Sequence, residues 1–345
     1  MQYRPLGQSD IQVSVICLGT MTWGQQNDQA DANEQLDYAL DHGVNFIDTA
    51  DMYSVPTKVE TQGSTETIIG NWLTETGNRD KVVLATKVAG RSMGMDYLRG
   101  GPILDRTNIE QAIEGSLRRL QTDYFDLYQV HWPDRVTNYF GQLDYRHNED
   151  AEHIAIEETL TVLAELVKAG KVRQIGISNE TPWGAMRWLQ AAKEMGLPRV
   201  VTIQNPYSLL NRSFEVGLSE ISHREQLGLM AYSPLGFGTL SGKYLDGSAG
   251  DDARVNQFPQ FARYTKPQGI AATTKYVQLA RDHGLDPAQM ALAYVNSRPF
   301  LTSTVIGATR MDQLKSNIDS IDVTISDEVL AGIDAIHAEI SNPCP

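Results

Sequence analysis

Short apolar runs alternate along the chain with longer segments in which apolar residues recur every three or four positions. The short runs are too apolar to leave one face in water, which is typical of parallel strands buried on both sides. Several of the longer segments begin near Ser, Thr or Asp and end at Gly, as helices do. The eight predicted strands are VSVICLG, VNFIDTA, KVVLATKV, YFDLYQVHW, VRQIGIS, RVVTIQN, GLMAYSP and TSTVIGA.

Eight strand-helix units in succession predict a closed (β/α)8 TIM barrel, an α/β fold, because a doubly wound sheet usually has about five or six strands per domain. The segment YRPLGQSDIQVSV has a Gly-Gln-Ser-Asp turn between two extended pieces, which predicts an N-terminal hairpin before the first barrel strand. No Pro/Ser-rich linker interrupts the pattern, so we expect residues 1–345 to form a single domain.

Three connections, 55–64, 133–154 and 235–269, are much longer than ordinary barrel loops. Each of them follows a predicted strand and precedes a predicted helix. In a barrel this order places all three connections on the C-terminal face, where barrel enzymes build their active sites.

The chain carries a formal net charge of −14, so a general role on nucleic acid or on an anionic membrane would meet like-charge repulsion. A local basic pocket for a phosphate remains compatible with this charge. Cys17 and Cys344 belong to no CxxC motif, and we expect both to be free thiols, with Cys17 buried. No signal-peptide pattern and no long apolar run occur, so we expect a soluble, cytoplasmic protein.

Polar side chains occur where three consecutive predicted strands end. Asp48 ends the second strand, Lys87 the third and His131 the fourth, and Tyr53 follows Asp48 by five residues. Each alone has an ordinary structural explanation, such as a turn cap, a rim contact or a half-buried histidine. Together they place an opposite-charge pair in an apolar barrel mouth, where such a pair is costly to desolvate and is weak evidence of stabilisation. The combination therefore favours a catalytic role.

A phenol has a reference pKa of about 10, so Tyr53 alone is a reluctant acid at neutral pH. We expect the Lys87 cation to lower the pKa of Tyr53 and make it a general acid, with Asp48 holding Lys87 in place. His131 would donate a hydrogen bond to the substrate oxygen and orient it. A metal is the competing use of Asp48 and His131, but two ligands without a further His, Cys or Glu at a matching strand end form an incomplete shell, so we predict no metal site.

Asp48, Tyr53, Lys87 and His131 resemble the catalytic tetrad of the aldo-keto reductases, in the same order and with similar spacing, within FIDTADMY, ATKV and YQVHWP. Other segments similar to this family extend over nearly the whole chain, among them LGTMTWG, GKVRQIGISNE, AYSPLGFGTLSGKY and GATRMDQLKSNI. The sequence is most similar to the bacterial Tas-like branch and more distantly to the potassium-channel β subunits. The resemblance implies NADPH-dependent reduction of an aldehyde or ketone to an alcohol, with Tyr53 as general acid.

The resemblance also implies a nicotinamide dinucleotide bound across the barrel mouth. The loop GFGTLSGK after the seventh strand matches neither GxGxxG nor a P-loop, but its glycines would let backbone amides approach a pyrophosphate. By resemblance, Tyr232 would stack on the nicotinamide, and Ser178, Asn179 and Gln204 would hold its carboxamide. Ser178 and Asn179 also suit the N-cap of the helix that begins near Pro182, and the two roles could coexist.

A helix after the eighth strand begins within GATRMDQLKSN, and its free amides and dipole favour a phosphate. Arg310 supplies a cation there. Gly307, Gln313 and Ser316 stand where some or many NADPH-dependent members of the family have Lys, Arg and Glu, so NADH is kept as the alternative cofactor. The predicted cofactor residues are Gly19, Thr20, Asp48, Ser178, Asn179, Gln204, Tyr232, Ser233, Leu235, Gly236, Gly238, Lys243, Gly307, Arg310, Gln313 and Asn317.

Trp23, Tyr53, His131 and Trp132 are predicted to line an aromatic pocket for a small-molecule carbonyl substrate, although both tryptophans also suit ordinary rim packing. The aromatic residues and arginines of segment 133–154 suggest a lid over this pocket. A second function stays open, namely a nicotinamide-nucleotide-binding redox sensor or regulatory subunit with slow turnover. Such a subunit can retain all four tetrad residues, so their presence does not separate the two hypotheses.

Overall fold

Eight parallel strands close into a barrel in a computed structural model that describes residues 1–345. The predicted TIM-barrel fold is confirmed, with one strand in each of the eight apolar runs. Two further strands, β1 (Tyr3–Pro5) and β2 (Gln12–Ser14), form the predicted antiparallel hairpin. The barrel strands are β3 (Ile16–Gly19), β4 (Phe46–Asp48), β5 (Val83–Val88), β6 (Phe125–Val130), β7 (Val172–Ser178), β8 (Val200–Pro206), β9 (Gly228–Tyr232) and β10 (Leu301–Ile306).

Helices surround the barrel and cover the outward side chains of its strands. They are α1 (Gln29–Asp41), α2 (Ser64–Thr76), α3 (Arg106–Leu120), α4 (Ile156–Lys168), α5 (Pro182–Met195), α6 (Leu218–Glu225), α7 (Arg254–Gln257), α8 (Pro267–Asp282), α9 (Pro287–Asn296), α10 (Met311–Asp319) and α11 (Asp327–Glu339). Short 3₁₀ helices lie at Val59–Thr61, Arg79–Lys81, Ser213–Val216, Thr239–Ser241, Pro259–Tyr264 and Ser320–Asp322.

The hairpin packs against apolar side chains of the barrel strands. Leu6, Ile11 and Val13 form one buried cluster with Cys17 and Phe46, which come from the first two barrel strands. Gly7 turns the hairpin with φ +58°, and a Cβ there would lie 2.3 Å from the carbonyl oxygen of Val201, so only glycine fits this approach. Both cysteines are free and buried, as expected for Cys17.

The three long connections follow β4, β6 and β9, so they all lie on the C-terminal face of the barrel, as predicted. The region from 236 to 296, which the sequence pattern left undivided, contains α7, α8 and α9. A further helix, α11, packs against α8 and was not predicted. None of the helices is long and apolar enough to cross a membrane.

Candidate active site

A buried ion pair lies at the carboxyl ends of two neighbouring strands. Asp48 is the last residue of β4, and Lys87 lies near the end of β5. The Lys87 Nζ atom donates to Asp48 Oδ2 at 2.5 Å and to the carbonyl oxygen of Thr49 at 2.8 Å. The side chains of Lys87 and Asp48 are both buried, so the two charged groups contact each other and not water. Retaining such a pair in a barrel mouth fits a chemical role better than a stabilising one.

The second carboxylate oxygen of Asp48 accepts hydrogen bonds from two side-chain amides. Gln129 Nε2 donates to Asp48 Oδ1 at 3.0 Å and Gln204 Nε2 donates to the same atom at 2.9 Å. Sequence reasoning missed Gln129, although a glutamine within the apolar run FDLYQV was a visible signal. Gln204 was predicted to hold a carboxamide. Its Nε2 donates to Asp48 and, at 3.4 Å, to Gln129 Oε1, whereas its own Oε1 accepts no hydrogen bond from the protein and is left for another partner.

Tyr53 lies in the connection after β4, beside Lys87. Its side chain is buried, and Lys87 Nζ lies 5.1 Å from the centroid of its ring. Backbone hydrogen bonds hold Tyr53 at both sides, from Tyr53 N to the carbonyl oxygen of Ala50 at 3.1 Å and from Gly63 N to the carbonyl oxygen of Tyr53 at 2.7 Å. The long connection therefore places the Tyr53 side chain beside Lys87, at the rim where β4 and β5 end.

The pKa of Tyr53 moves in the direction opposite to our expectation. Burial raises the pKa of Tyr53 above its ordinary value, and the Lys87 cation opposes this shift without overcoming it. The hydroxyl of Tyr53 therefore keeps its proton throughout the neutral range. For Lys87, burial alone would lower the pKa, but the charge and the hydrogen bond of the Asp48 carboxylate raise it, so the side chain stays an ammonium.

His131 directly follows β6 and stands beside Tyr53. The two rings meet edge to face with centroids 5.6 Å apart. Burial, and then the charge of Lys87, hold the pKa of His131 well below its usual range, so its imidazole is neutral at neutral pH. Its backbone N–H donates to the carbonyl oxygen of Val88 at 2.9 Å, and its buried Nδ1 has no hydrogen-bond partner. The ring is therefore held in position, while its Nδ1 atom has no hydrogen-bond partner in the protein.

The two tryptophans predicted for the substrate pocket are both buried, in different surroundings. Trp23 belongs to the main hydrophobic core, and its Nε1 has no hydrogen-bond partner. Trp132 packs against His131 with ring centroids 4.8 Å apart, and its Nε1 donates to the carbonyl oxygen of Arg91 at 2.9 Å. Trp132 therefore lies next to the candidate site, anchored to the loop after β5.

Three polar residues predicted to surround a nicotinamide meet at the ends of β7 and β9. Tyr232 Oη donates to Asn179 Oδ1 at 2.6 Å, and Asn179 Nδ2 donates to the carbonyl oxygen of His131 at 2.9 Å. Ser178 Oγ donates to the carbonyl oxygen of Gln204 at 2.7 Å. The prediction that Ser178 and Asn179 cap the N-terminus of α5 is wrong. The cap is Thr181, whose side chain accepts a hydrogen bond from Gly184 N at 3.2 Å.

The loop after β9 contains a run of left-handed backbone positions. Ser233, Gly236, Phe237 and Gly238 have φ values of 53°, 55°, 55° and 85°, so four of six consecutive residues are left-handed. A Cβ at Gly238 would lie 3.0 Å from Lys243 Nζ, and the glycine therefore leaves room for that ammonium group. Leu235 packs partly buried against the main core. Gly236 N and Thr239 N already donate within the loop, whereas Phe237 N and Gly238 N have no acceptor in the protein, and free amides beside a cation suit a phosphate.

Three cations gather beyond this loop. Burial lowers the pKa of Arg254 to about 10, and its guanidinium lies over the Phe237 ring at 5.3 Å without an acidic partner. Burial, followed by the charge of Arg310, lowers the pKa of Lys243. Arg310 is exposed, with Asp312 Oδ1 at 3.2 Å from its Nε and Asp252 Oδ2 at 3.5 Å from its Nη1. Sequence reasoning missed Arg254, since it lies in a segment without a recognisable motif. Three cations against the two carboxylates Asp252 and Asp312 leave a net positive charge, which fits a polyanionic cofactor.

The remaining predicted cofactor residues lie at the ends of β3 and β10 and within α10. Thr20 Oγ1 donates to the carbonyl oxygen of Asp48 at 2.9 Å, and a Cβ at Gly19 would lie 2.7 Å from the carbonyl oxygen of Ile306. Gln313 Oε1 accepts from Thr309 N at 3.1 Å. Asn317 is buried, and its Nδ2 donates to the carbonyl oxygen of Gly307 at 3.3 Å. Gln313 and Asn317 therefore brace the turn that leads into α10.

The segment 133–154 reaches from His131 across the C-terminal face. Asp134 joins the two ends of the segment, because its Oδ1 accepts a hydrogen bond from Ile154 N at 2.8 Å. Its Oδ2 accepts from Leu104 N at 2.9 Å, which ties the segment to the connection between β5 and α3. In between, the Phe140 ring packs against Trp132 with centroids 5.9 Å apart. This arrangement is consistent with the predicted lid. No group of three or more His, Cys, Asp or Glu side chains is placed to hold a metal ion.

Residues 15–338 match the sequence profile of the aldo/keto reductase family. The chain is 55% identical over 346 residues to protein Tas of Escherichia coli, with 100% of both chains covered. It is 34% identical to the uncharacterized oxidoreductase YrpG of Bacillus subtilis, covering 96% of this chain and 94% of that protein. It is also 29% identical to the L-glyceraldehyde 3-phosphate reductase of Escherichia coli, covering 97% and 92%. The chain therefore belongs to the aldo/keto reductase family of oxidoreductases.

Proposed function

We propose that this protein is an NADPH-dependent reductase that converts aldehydes or ketones into alcohols. The observation that carries the proposal is the convergence of Asp48, Tyr53, Lys87 and His131 at one rim of the barrel. When bound, the reduced nicotinamide supplies a hydride to the carbonyl carbon. A screen of aldehydes, ketones and quinones with both reduced cofactors tests the proposal, and carbonyl-dependent loss of NADPH absorbance is the expected result.

Tyr53 is proposed as the proton donor. Its raised pKa keeps the proton on Oη until the carbonyl oxygen gains negative charge, and the proton then passes to that oxygen. The Lys87 ammonium beside the ring stabilises the phenolate that remains. Asp48 keeps Lys87 charged and in place through the 2.5 Å hydrogen bond. Because the pKa of Tyr53 is raised and not lowered, the proton leaves only as charge develops on the carbonyl oxygen. Tyr53 still acts as the proton donor.

His131 is proposed to orient the substrate. Because its imidazole is neutral, one ring nitrogen carries a hydrogen and can donate it to the carbonyl oxygen. The neighbouring Trp132 ring and the hydrogen bond from Asn179 to the His131 carbonyl fix the backbone and the ring. An oriented donor near Tyr53 places the same oxygen within reach of the acid.

Replacing His131 with Leu should lower kcat by about 10²- to 10³-fold, the effect typical of losing one donor to a developing oxyanion. The Kd for NADPH should stay unchanged, because His131 is not among the residues proposed to hold the cofactor. Steady-state kinetics and calorimetric titration measure the two quantities. An equal loss in turnover and in NADPH affinity would show that His131 does not act by orienting the substrate.

The residues proposed to hold NADPH surround the cofactor path from the barrel mouth to α10. Members of the family generally use a nicotinamide cofactor. Ser178, Asn179 and the free Oε1 of Gln204 suit the carboxamide, and Tyr232 suits stacking on the ring. The amides of the loop after β9 suit the pyrophosphate. The phosphate contacts are proposed for Lys243, Arg254 and Arg310, of which Arg254 has no acidic partner and Arg310 is shared between Asp252 and Asp312.

Replacing Arg310 with Ala should weaken NADPH binding by about tenfold or more, because a hydrogen bond to a charged group contributes about 1.5–3 kcal/mol. NADH lacks the additional phosphate, so its Kd should stay unchanged. Calorimetric titration of both cofactors measures the difference. Arg224→Ala is the control, since this arginine pairs only with Glu220 on the surface of α6. Equal weakening of both cofactors by Arg310→Ala would place Arg310 elsewhere than at that phosphate.

A further inference from the structure

A second buried ion pair lies on the chain segment that leads into Tyr53. Asp51 stands two residues before Tyr53, and its Oδ2 accepts a hydrogen bond from Arg99 Nη1 at 2.7 Å. The Asp51 side chain has no exposed surface, and the Arg99 side chain is only 10% exposed. The mechanism proposed above gives neither residue a role.

This pair is a costly one for the fold. Asp51 Oδ1 and Arg99 Nη2 are both buried and have no hydrogen-bond partner in the protein, so each has lost water without a replacement. Arg99 also has a φ of 56°, a left-handed conformation that residues with a side chain rarely adopt. A buried pair with unused donors and acceptors on a strained backbone fits a functional role better than a stabilising one.

Asp51 joins the segment that carries Tyr53 to the end of β5. Its backbone N–H donates to the carbonyl oxygen of Lys87 at 3.1 Å, and Ala89 N donates to Asp51 Oδ2 at 3.5 Å. Asp51 is therefore bonded to β5 on both sides of the Lys87 side chain. On its other side, Gln62 Nε2 donates to the carbonyl oxygen of Asp51 at 2.6 Å, so the far end of the same connection is held there as well.

Arg99 anchors Asp51 to the connection between β5 and α3, residues 89–105. Its Nε donates to Asn108 Oδ1 in the first turns of α3 at 3.3 Å. The preceding residue, Leu98, belongs to a buried cluster with Ala89, Met95 and Trp132, against which Met52 packs.

Two kinds of contact thus join this connection to the segment 51–53. Arg99 pairs with Asp51, and the cluster that contains Leu98 packs against Met52, the residue directly before Tyr53. The Tyr53 side chain follows these two contacts on a short stretch of irregular chain. A shift of Asp51 would therefore move Tyr53 relative to Lys87, whose Nζ lies 5.1 Å from the Tyr53 ring centroid.

We propose that Asp51 and Arg99 form a positioning pair that holds the Tyr53 hydroxyl in place for proton transfer. The inference rests on the proposed reductase function and adds two residues that act through Tyr53. Neither residue contacts the substrate or the cofactor in this role. Its effect on rate is large because a misplacement of a reacting group by about 1 Å can cost about 10²-fold.

Arg99→Met should lower kcat for carbonyl reduction by about 10- to 10²-fold, because Asp51 loses its anchor and Tyr53 its position. The KM for the carbonyl and the Kd for NADPH should stay unchanged, since the groups that bind them remain. Arg99→Lys keeps the charge without the guanidinium fork, so it should recover part of the loss. Steady-state kinetics and calorimetric titration measure these quantities, and urea unfolding shows that each variant is folded under the assay conditions.

The double variant Asp51→Asn with Arg99→Met separates positioning from stability. Removing both charges should recover most of the stability lost in Arg99→Met, whereas kcat should stay low because the anchor is still absent. Arg79→Met is the matched control. Arg79 Nη2 lies 2.9 Å from Asp126 Oδ2 in another largely buried pair, at the N-terminal end of the barrel, so its loss should weaken the fold and leave kcat unchanged.

Three results would overturn the positioning role. They are a wild-type kcat in folded Arg99→Met, a kcat that returns together with stability in the double variant, and a loss of kcat in Arg79→Met equal to that in Arg99→Met. In each case turnover by the wild type shows that the reductase function stands. Absence of turnover by the wild type with every carbonyl and both cofactors overturns both proposals.

Discussion

Replacing Tyr53 with Phe should lower kcat for carbonyl reduction by about 10²- to 10⁴-fold, the range typical of losing a general acid. The phenyl ring would still fill the buried position beside His131 and Lys87, so the shape of the site should persist. What is lost is the hydroxyl that holds a proton at neutral pH because burial raises its pKa. Steady-state turnover with the best substrate of the screen measures the loss, and calorimetric titration should show an unchanged Kd for NADPH.

Tyr3→Phe is the matched control for this substitution. The Tyr3 hydroxyl donates to the carbonyl oxygen of Gly43 at 2.8 Å, beside the N-terminal hairpin. Its removal changes the same atoms far from the C-terminal face and should leave kcat unchanged. Wild-type turnover in Tyr53→Phe would disprove the acid role of Tyr53.

Replacing Lys87 with Met should lower the free energy of unfolding by about 3–5 kcal/mol, because removing one partner of a buried ion pair leaves the other charge uncompensated. Asp48 would keep its two amide donors, Gln129 and Gln204, but lose the ammonium at 2.5 Å. Turnover should fall as well, since no cation then stabilises the Tyr53 phenolate. Urea unfolding and steady-state kinetics measure the two effects.

The double variant Asp48→Asn with Lys87→Met separates stability from chemistry. Removing both charges should recover most of the free energy of unfolding, because a neutral pair at these positions needs no desolvated charge. Activity should stay lost, because Tyr53 still lacks its cation. The role given to the pair would be contradicted if Lys87→Met had the same urea midpoint of unfolding as the wild type. Substantial turnover in the double variant would contradict it as well.

The barrel and the position of the tetrad residues could be predicted because both depend on local pattern. A parallel strand buried on both faces is apolar along its length, so Asp48, Lys87 and His131 stand out where their strands end. The carboxyl ends of parallel barrel strands meet at one face, which brings these residues together. Tyr53 was grouped with them as the phenol five residues after Asp48, and the resemblance supported this choice, since five residues of irregular connection do not alone determine where a side chain returns.

Features that depend on tertiary burial could not be predicted in the same way. The pKa of Tyr53 follows from the balance between burial and Lys87, and sequence reasoning included only the charge. Arg254 begins the short helix α7 in a stretch without a recognisable motif, and its lack of an acidic partner becomes visible only when the chain is folded. Gln129 has its role only because β6 places it opposite Asp48. The helices α8 and α9 were hidden within a long region with no strand to divide it.

The most direct test of the central proposal counts turnovers per site. Protein saturated with NADPH is mixed with an excess of the best carbonyl substrate, and the loss of NADPH absorbance is followed until it stops. A carbonyl reductase built on Asp48, Tyr53, Lys87 and His131 should consume many equivalents of NADPH per site, and Tyr53→Phe should slow this consumption to near the uncatalysed rate. Tight NADPH binding with at most one slow turnover per site would instead indicate a nucleotide-binding sensor and contradict the proposed function.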